Sequence, residues 1–342
     1  MATTSYPASY TQPQSNSLRR VLTWAVIGLT YFLLVLTAIS MIFPFYWMLA
    51  TSLKNEARVF AFPPEWIPSP PILDSYQYIF TELPFTAYIF NSLKVSLLST
   101  FGIVLSSSLA AYAFARVRFR GREILFMITL AALMIPAQVT MIPLYVVMTR
   151  IGWVDTHWPL IAPAYFGSAF GIFLMRQYFM TIPQELNDAA KIDGCSHFGV
   201  YWRIMLPLAK AVIATLALLS FMGSWNDLLG PVIYLYREDL FTLPLALTRF
   251  RGQYYTQWAN MMAGAAISLL PILLLFLFTQ QYFVRGVVLK VMSFSQCPLD
   301  QWHPLRLRIK RLFSPKRHDE KGGRHLLRFQ KVEKFAKQLR LL

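Results

Sequence analysis

Long stretches without a charged side chain constrain this sequence more than any other feature. Five stretches of at least 20 residues contain no Asp, Glu, Lys or Arg, and they cover 21–53, 95–115, 124–149, 156–175 and 252–284. A helix needs about 20 apolar residues to cross the ~30 Å hydrocarbon core of a bilayer. Each stretch is therefore long enough to cross a membrane once.

A sixth apolar stretch is interrupted by an acidic residue. Residues 211–226 lack charge, Asp227 follows, and the apolar character resumes as far as residue 236. We interpret 208–229 as a helix with Asp227 near its outer end. Charged residues make up only 14% of the chain, whereas soluble proteins carry about 25%. The sequence therefore predicts an all-α fold, a polytopic membrane bundle of six transmembrane helices.

The N-terminal region differs from this apolar body. Residues 1–20 are predicted to form a disordered N-terminus, because the residues before the first apolar stretch are rich in Ser, Thr, Gln and Pro. The first apolar stretch is too long for the core of a signal peptide, and it lacks a convincing small-residue cleavage site. We therefore interpret it as a retained membrane helix.

Basic residues predict the orientation of the helices, because Lys and Arg concentrate in short cytoplasmic loops. They cluster before the first helix, between the second and third, and between the fourth and fifth, at Arg19, Arg20, Arg116, Arg118, Arg120, Arg122, Arg176, Lys191, Arg203 and Lys210. The Pro-rich segment 54–84 is balanced in charge and is predicted to be an outer interfacial loop with short helical pieces. The loop between helices five and six fits this pattern less well. We predict a multi-pass inner-membrane protein with both termini in the cytoplasm.

The connection between the fourth and fifth helices, residues 181–207, carries several helix signals. Thr181 and Gln184 have the spacing of a capping box, and Gly194 is suited to end the helix that follows. The i, i+3, i+4 spacing predicts that one face of this helix collects Leu186, Ala189 and Ala190. Ser196 is a candidate cap for a second short helix that Pro207 would bound. A short helix between two membrane spans suits docking into a groove on a soluble partner, whose movement would then reach the bundle.

The same segment resembles the EAA loop of ABC importer permeases. The pattern is an acidic residue, two alanines, three residues, Gly, nine residues, Ile, one residue and Leu-Pro, and Asp188 stands where the family usually has Glu. The resemblance implies that this loop forms the coupling helix that inserts into the ATPase. The residues to which it assigns this coupling role are Glu185, Asp188, Ala189, Ala190, Asp193, Gly194, Ile204, Leu206 and Pro207.

Further motifs, at 91–93, 111–116, 225–227 and 282–286, are similar to the second-subunit branch of maltose-permease-type carbohydrate importers. The likeness covers about residues 18–288 and indicates a six-helix permease domain of the ABC type I importer kind at 21–288. It implies a heterodimer with a second permease subunit, two ATP-binding ABC subunits, an external solute-binding protein, and a sugar, polyol or glycerol phosphate as substrate.

Four polar or aromatic residues near helix ends are candidates for contacts along the translocation path or for helix packing. They are Asn91, Trp225, Asn226 and Asp227. For the last three we favour helix-end burial or interhelical bonding. Lys94 is expected to extend to the interface. We expect Pro136, Gly167 and Gly171 to serve close packing or kinks.

The basic extension at 289–342 does not fit this branch, whose members usually end near Arg285-Gly286. Residues 285–342 contain 15 Lys and Arg against 4 Asp and Glu, which is +11 of the chain's +16. A genuine extension, a fused regulatory segment and a shifted reading frame all remain open. Each basic residue near anionic lipid contributes ~1 kcal/mol of attraction. We favour a functionally bland extension with the lipid membrane, and not nucleic acid, as its partner.

Two functional classes fit a polytopic bundle, an ATPase-driven permease and an ion-coupled secondary transporter. The sequence has no GxxxxGK[ST] phosphate loop, so we predict no ATPase site and no enzymatic activity of its own. Its two cysteines, Cys195 and Cys297, and its five scattered histidines lack metal-ligand spacing, so no metal or cofactor is expected. Secondary transporters usually carry intramembrane acidic residues and repeated halves, which this sequence lacks. The ATPase-driven permease is therefore the favoured function.

Overall fold

The computed structural model describes residues 17–252 and 255–295, and their secondary structure is helical apart from one isolated antiparallel bridge between Arg251 and Thr256. The α-helices in chain order are α1 Ser17–Ser52, α2 Asp74–Thr81, α3 Phe85–Arg116, α4 Arg122–Ala131, α5 Ala137–Arg150, α6 Trp158–Ile161, α7 Ala169–Thr181, α8 Gln184–Ile192, α9 His197–Val200, α10 Leu206–Leu208, α11 Lys210–Trp225, α12 Leu229–Tyr234, α13 Leu243–Leu247 and α14 Trp258–Ser295. The predicted all-α membrane fold is confirmed.

Two predicted boundaries fall inside helices. Helix α1 begins at Ser17, so the last four residues of the predicted disordered N-terminus are helical, and the rest of that segment lies outside the described residues. The chain divides into two compact units, 1–286 and 287–342. Of the second unit the structure describes 287–295, all helical, and the remainder of the predicted basic extension lies outside the described residues.

Within the described residues, four helical segments are long and apolar enough to cross a membrane. They are Leu22–Ser52, Phe85–Arg116, Trp158–Thr181 and Trp258–Gln280. Two further pairs of helices pass the same test together but are sharply bent, so the count reaches six when each bent pair is one span.

The predicted helix at 124–149 is not continuous. It breaks between α4 and α5, which meet at an angle of 98°. Ile135 is extended, with φ −84° and ψ 115°, because the ring of the following Pro136 disfavours helical backbone before it. The kink expected at Pro136 is therefore present. Pro143, by contrast, lies inside α5.

The predicted helix at 208–229 is also wrong in its bounds. Helix α11 ends at Trp225, so Asp227 lies beyond the helix and not within its outer end. At the start, the helical stretch His197–Leu208 meets α11 at 80°. The bend falls at Ala209, two residues after a proline that removes one backbone donor from the helix.

Helix α3 is the central element of the described bundle, since it packs along both α7 and α11. The contact with α7 is close at Gly171, where an added Cβ would lie 2.6 Å from the Ser107 hydroxyl. This agrees with the expected packing role of Gly171. Helix α1 differs from α3, because residues 22–46 of α1 are all exposed.

The 54–84 segment contains the short helical pieces that its composition predicts, a 3-10 turn at Glu56–Arg58 and α2. Aromatic side chains of α1 hold it, because the Tyr46 hydroxyl donates to the Trp66 carbonyl at 2.7 Å. The Lys54 ammonium is buried and lies 4.5 Å from the centre of the Trp47 ring.

Candidate functional site

The predicted short helix of the 181–207 segment is present as α8, Gln184–Ile192. It lies at the end of the bundle where α3 ends at Arg116 and α7 ends at Thr181, and we call this the loop end. The predicted capping box is wrong. Thr181 is still part of α7, and its hydroxyl donates to the Tyr178 carbonyl at 2.7 Å instead of capping α8. Pro183 occupies the cap position, and it makes no side-chain hydrogen bond there.

The predicted stop at Gly194 is confirmed and has a specific geometry. Gly194 adopts φ +81°, a left-handed conformation that glycine reaches without steric cost. Its amide donates to the Lys191 carbonyl at 3.0 Å, and the Cys195 amide donates to the Ala190 carbonyl at 2.9 Å. These two bonds form a Schellman motif, which satisfies the last carbonyls of α8 and fixes its C-terminal end.

The structure divides the predicted apolar face of α8, because Leu186 and Ala189 are exposed, as a docking face requires, whereas Ala190 is buried. Asn187, one turn before Ala190, is fully buried at 0% exposure. The two face inward because they are three residues apart on a helix. The outward surface carries the acidic residues Glu185, Asp188 and Asp193 together with Leu186 and Ile192, and Ile192 is 86% exposed.

The second half of the segment continues as a helical stretch from His197 to Leu208. The predicted cap at Ser196 is confirmed, since its hydroxyl accepts from the Gly199 amide at 3.2 Å. Pro207 does not bound this helix, which continues for one residue beyond it. Ile204 and Leu206 pack against the core at the loop end, as does the buried Ala190. The EAA pattern thus combines three inward apolar anchors with an outward acidic surface.

Arg116 is a side chain at this end that the sequence did not single out. Arg116, the last residue of α3, is buried, and its guanidinium donates to the Phe179 carbonyl at 2.5 Å, to the Ile182 carbonyl and to Gln184 Oε1 at 2.5 Å. It therefore joins the ends of α3 and α7 to the first residue of α8. Arg116 directly follows the uncharged stretch 95–115, and this position indicated that it could continue the membrane helix. The prediction of orientation counted it only as a basic residue of the loop.

The other predicted candidate residues lie away from the loop end. Asn91 Nδ2 donates to the carbonyls of Asp239 and Phe241 at 2.8 and 3.1 Å. Trp225 is 1% exposed, and its indole N–H donates to the Ser268 carbonyl of α14 at 3.1 Å. Trp225 is therefore bonded to a neighbouring helix, and Asn91 is bonded to the connection that contains Asp239 and Phe241.

The two residues after Trp225 differ from it. Asn226 is exposed and donates to the Met222 carbonyl of its own helix at 2.9 Å. Asp227 Oδ1 accepts from the Gly230 amide at 3.2 Å. Asp227 also lines a cavity of about 510 Å³ beside α3, α7 and α11, whose other polar lining residues are Ser99, Ser168, Ser220 and Ser224.

At the end of the bundle opposite the loop end, charged groups are tied to backbone. The amides of Arg237 and Tyr236 donate to the Asp155 carboxylate and lower its pKa. His157 is buried, and burial lowers its pKa. Lys94 is exposed, and its ammonium lies 3.5 Å from His157 Nδ1. Within the described ranges, no group of three or more His, Cys, Asp or Glu side chains is placed to hold a metal ion.

Comparisons with known proteins agree with this architecture. The chain is 36% identical over 259 residues to the probable ABC transporter permease protein YurM of Bacillus subtilis, covering 74% of this chain and 84% of the relative. It is 38% identical over 221 residues to the arabinooligosaccharides transport system permease protein AraQ of Halalkalibacterium halodurans, covering 64% of this chain and 79% of the relative.

A solved structure shares the fold. It is the crystal structure of a bacterial ABC transporter involved in the import of the acidic polysaccharide alginate, with a TM-score of 0.68 at 22% identity, covering 80% of this chain and all of the matched one. Residues 102–289, which include α8 and its flanking helices, match the family described as binding-protein-dependent transport system inner membrane component. The chain belongs to this family and is a multi-pass membrane permease of an ABC importer.

Proposed function

We propose that this chain forms one half of the membrane pathway of an importer for a sugar or a related polar solute. The named substrates of its relatives support this class, since AraQ belongs to an arabinooligosaccharide system and the matched structure imports alginate. The solute is delivered by an external binding protein and moves through a pathway shared with a second, different permease subunit. Family membership favours this ATPase-driven function over the ion-coupled secondary transporter.

The observation that carries the proposal is the shape of α8. It is a nine-residue helix with a fixed C-terminal end, and it connects α7 to the helical stretch before α11. Its outward surface places Leu186 and Ile192 beside acidic side chains. Full burial of one such aliphatic side chain stabilises a complex by about 1.5–3 kcal/mol. A helix of this size and surface suits insertion into a groove of the partner ATPase.

In the proposed mechanism, ATP binding closes the two ATPase subunits and draws the docked helices together. Helix α8 then carries this movement into α7 and α11, and the permease pair opens toward the binding protein. Hydrolysis separates the ATPases and returns the pathway to its inward-facing state. A partner shifts such an equilibrium only by its differential affinity for the two states, so the closed ATPase pair must bind the outward-facing permease more favourably than the inward-facing one.

We further propose that the loop end faces the cytoplasm, with both termini on that side. The basic residues between α3 and α4, including Arg118, Arg120 and Arg122, support this orientation. Residues 289–342 are proposed to form a basic extension that lies near anionic lipid and is dispensable for transport. Truncation after Gly286 tests this, and a loss of uptake would contradict it.

Replacing Asp188 with Lys, or Gly194 with Trp, tests the coupling helix. Both variants should lose solute uptake and lower the amount of ATPase that co-purifies with the permease. Glu82→Lys is the matched control, because Glu82 is also exposed but lies at the opposite end of the bundle. Normal uptake and normal co-purification in both α8 variants would refute the assignment.

A further inference from the structure

One face of α3 contacts both arms of the 181–207 segment. Ser108, Tyr112 and Arg116 are each four residues apart, so they lie on one side of the helix. All three are buried. We call these three residues the α3 face, and together they contact the end of α7 and both arms of the loop end.

Arg116 holds the start of the coupling helix. Its guanidinium donates to the carbonyls of Phe179 and Ile182 at the C-terminal end of α7, where a cation is favoured by the helix dipole. The same guanidinium donates to Gln184 Oε1 at 2.5 Å. In the part of the chain that the structure describes, this is the one side-chain hydrogen bond from α8 to a membrane-spanning helix.

Tyr112 and Ser108 hold the second arm. The Ser108 hydroxyl lies 2.8 Å from the Tyr201 hydroxyl. The Tyr112 ring packs against Tyr201 with centroids 5.5 Å apart, and edge-on against Phe179 at 6.4 Å. Tyr201 follows α9 directly in the chain, so the α3 face contacts the segment both before and after the stop at Gly194.

Because α3 lies at the centre of the bundle, its contacts with the loop connect the loop to other membrane helices. Because α3 packs along α7 and α11, a displacement of the loop that reaches α3 reaches the two helices beside the 510 Å³ cavity as well. Packed interiors pass on such displacements, since side chains at close-packed density have little free space to absorb them. Helix α8 itself inserts only Asn187 and Ala190 into the interior.

We propose that the α3 face transmits the movement of the coupling loop to the membrane helices, with Arg116 as the positioning residue that locks α8 to α3. This inference rests on the proposed role of α8. It assigns to Arg116 a function separate from ATPase binding, because Arg116 is buried behind α8 while the docking surface points outward.

The test uses the complete importer, with both permeases, the ATPases and the binding protein, and measures solute imported per ATP hydrolysed. Arg116→Gln should retain the ATPase but lower this ratio by about tenfold, since the lost charge-assisted hydrogen bonds are worth at least that factor. Arg116→Lys should recover part of the ratio, because it keeps the charge and reaches fewer acceptors. Arg118→Gln is the matched control and should behave as the unsubstituted importer, because Arg118 is exposed two residues away.

Several outcomes separate this inference from the proposed role of α8. If Asp188→Lys loses the ATPase while Arg116→Gln imports as much solute per ATP as the unsubstituted importer, the α3 face has no transmitting role. If Asp188→Lys and Gly194→Trp both keep the ATPase and normal uptake, the role of α8 fails, and the inference fails with it.

A third outcome concerns folding. If Arg116→Gln fails to assemble, the solute imported per ATP is measured in Gln184→Ala and Tyr201→Phe instead. Each of these variants removes one polar contact to the α3 face and leaves the Arg116 guanidinium in place. A fall in solute per ATP in both supports the proposal. An unchanged ratio in both overturns it.

Discussion

Replacing Gly194 with Ala should loosen the C-terminal end of the coupling helix by a calculable amount. Gly194 has φ +81°, and nothing lies within 4 Å of a Cβ added there, so the cost is that of the backbone conformation alone. For a non-glycine residue the left-handed conformation costs about 1–2 kcal/mol. This corresponds to a 5- to 30-fold larger population of the opened end, at roughly tenfold per 1.4 kcal/mol.

Hydrogen exchange measures this population directly, because an amide exchanges when its hydrogen bond opens. The amides to follow in the purified importer are those of Gly194 and Cys195, which donate to α8 carbonyls at 3.0 and 2.9 Å. Gly194→Ala should raise their exchange rates by the factor above. Gly194→Asn should raise them less, since asparagine tolerates the left-handed region better.

Gly223→Ala is the control for this experiment. Gly223 lies in the interior of α11, and a Cβ there also meets nothing within 4 Å. Alanine in a helix interior is favoured over glycine by about 1 kcal/mol, so this variant should leave exchange at the loop unchanged. Wild-type exchange rates in Gly194→Ala would refute the argument that the left-handed glycine fixes the end of α8.

Three further substitutions have defined outcomes. Gly171→Leu should lower the thermal midpoint of the purified permease, because overpacking a close helix contact costs about 1–3 kcal/mol, and an unchanged midpoint would contradict that contact. Trp225→Phe should cost about 0.5–1.5 kcal/mol through its lost hydrogen bond to α14 yet leave ATPase co-purification intact, so lost co-purification would argue against a packing role. The hydrogen bond and charge of Arg249 lower the pKa of Glu238 below its ordinary 4.5, so the stabilisation from Glu238 is complete above that value and disappears as pH falls through the folded pKa. The midpoint difference between wild type and Glu238→Gln should therefore be present at about pH 7 and vanish in acid, and a pH-independent difference would contradict the ion pair.

The membrane-spanning helices were predictable because burying a charge in lipid is costly, so these segments contain few charged residues. The limit of this signal is visible at α3, whose uncharged stretch begins only at residue 95 although the helix begins at Phe85. Lys94 ended the uncharged stretch, although the lysine is exposed near the helix end and is compatible with it. The length of the uncharged stretch therefore underestimates the length of the helix.

The bends were not predictable from proline alone. Pro44, Pro143 and Pro271 all lie inside helices, whereas α4 and α5 separate at Pro136. A proline permits a break by removing one backbone hydrogen bond, but packing of the flanking segments decides whether the helix bends. A single sequence does not show how the flanking segments pack.

In the candidate site, local signals gave the existence of α8, its stop at Gly194 and the cap at Ser196. These signals did not predict which face of α8 is buried. Asn187 and Ala190 face inward because of the helices that α8 packs against, and not because of the composition of α8. Thr181 failed as a cap for the same reason, since α7 continues through it. Long-range contacts therefore set the orientation of a helix whose limits are local.

The most direct test of the account is whether the exposed side of α8 contacts the ATPase. A photo-crosslinking amino acid at Ile192, which is 86% exposed, should join this chain to the ATPase subunit in the assembled importer. The same amino acid at Phe62, which is 94% exposed at the opposite end of the bundle, is the control and should give no such product. A crosslink from Ile192 to the ATPase and none from Phe62 is the predicted result. Absence of the Ile192 product in an importer that retains its ATPase would contradict the role of α8 as the coupling helix.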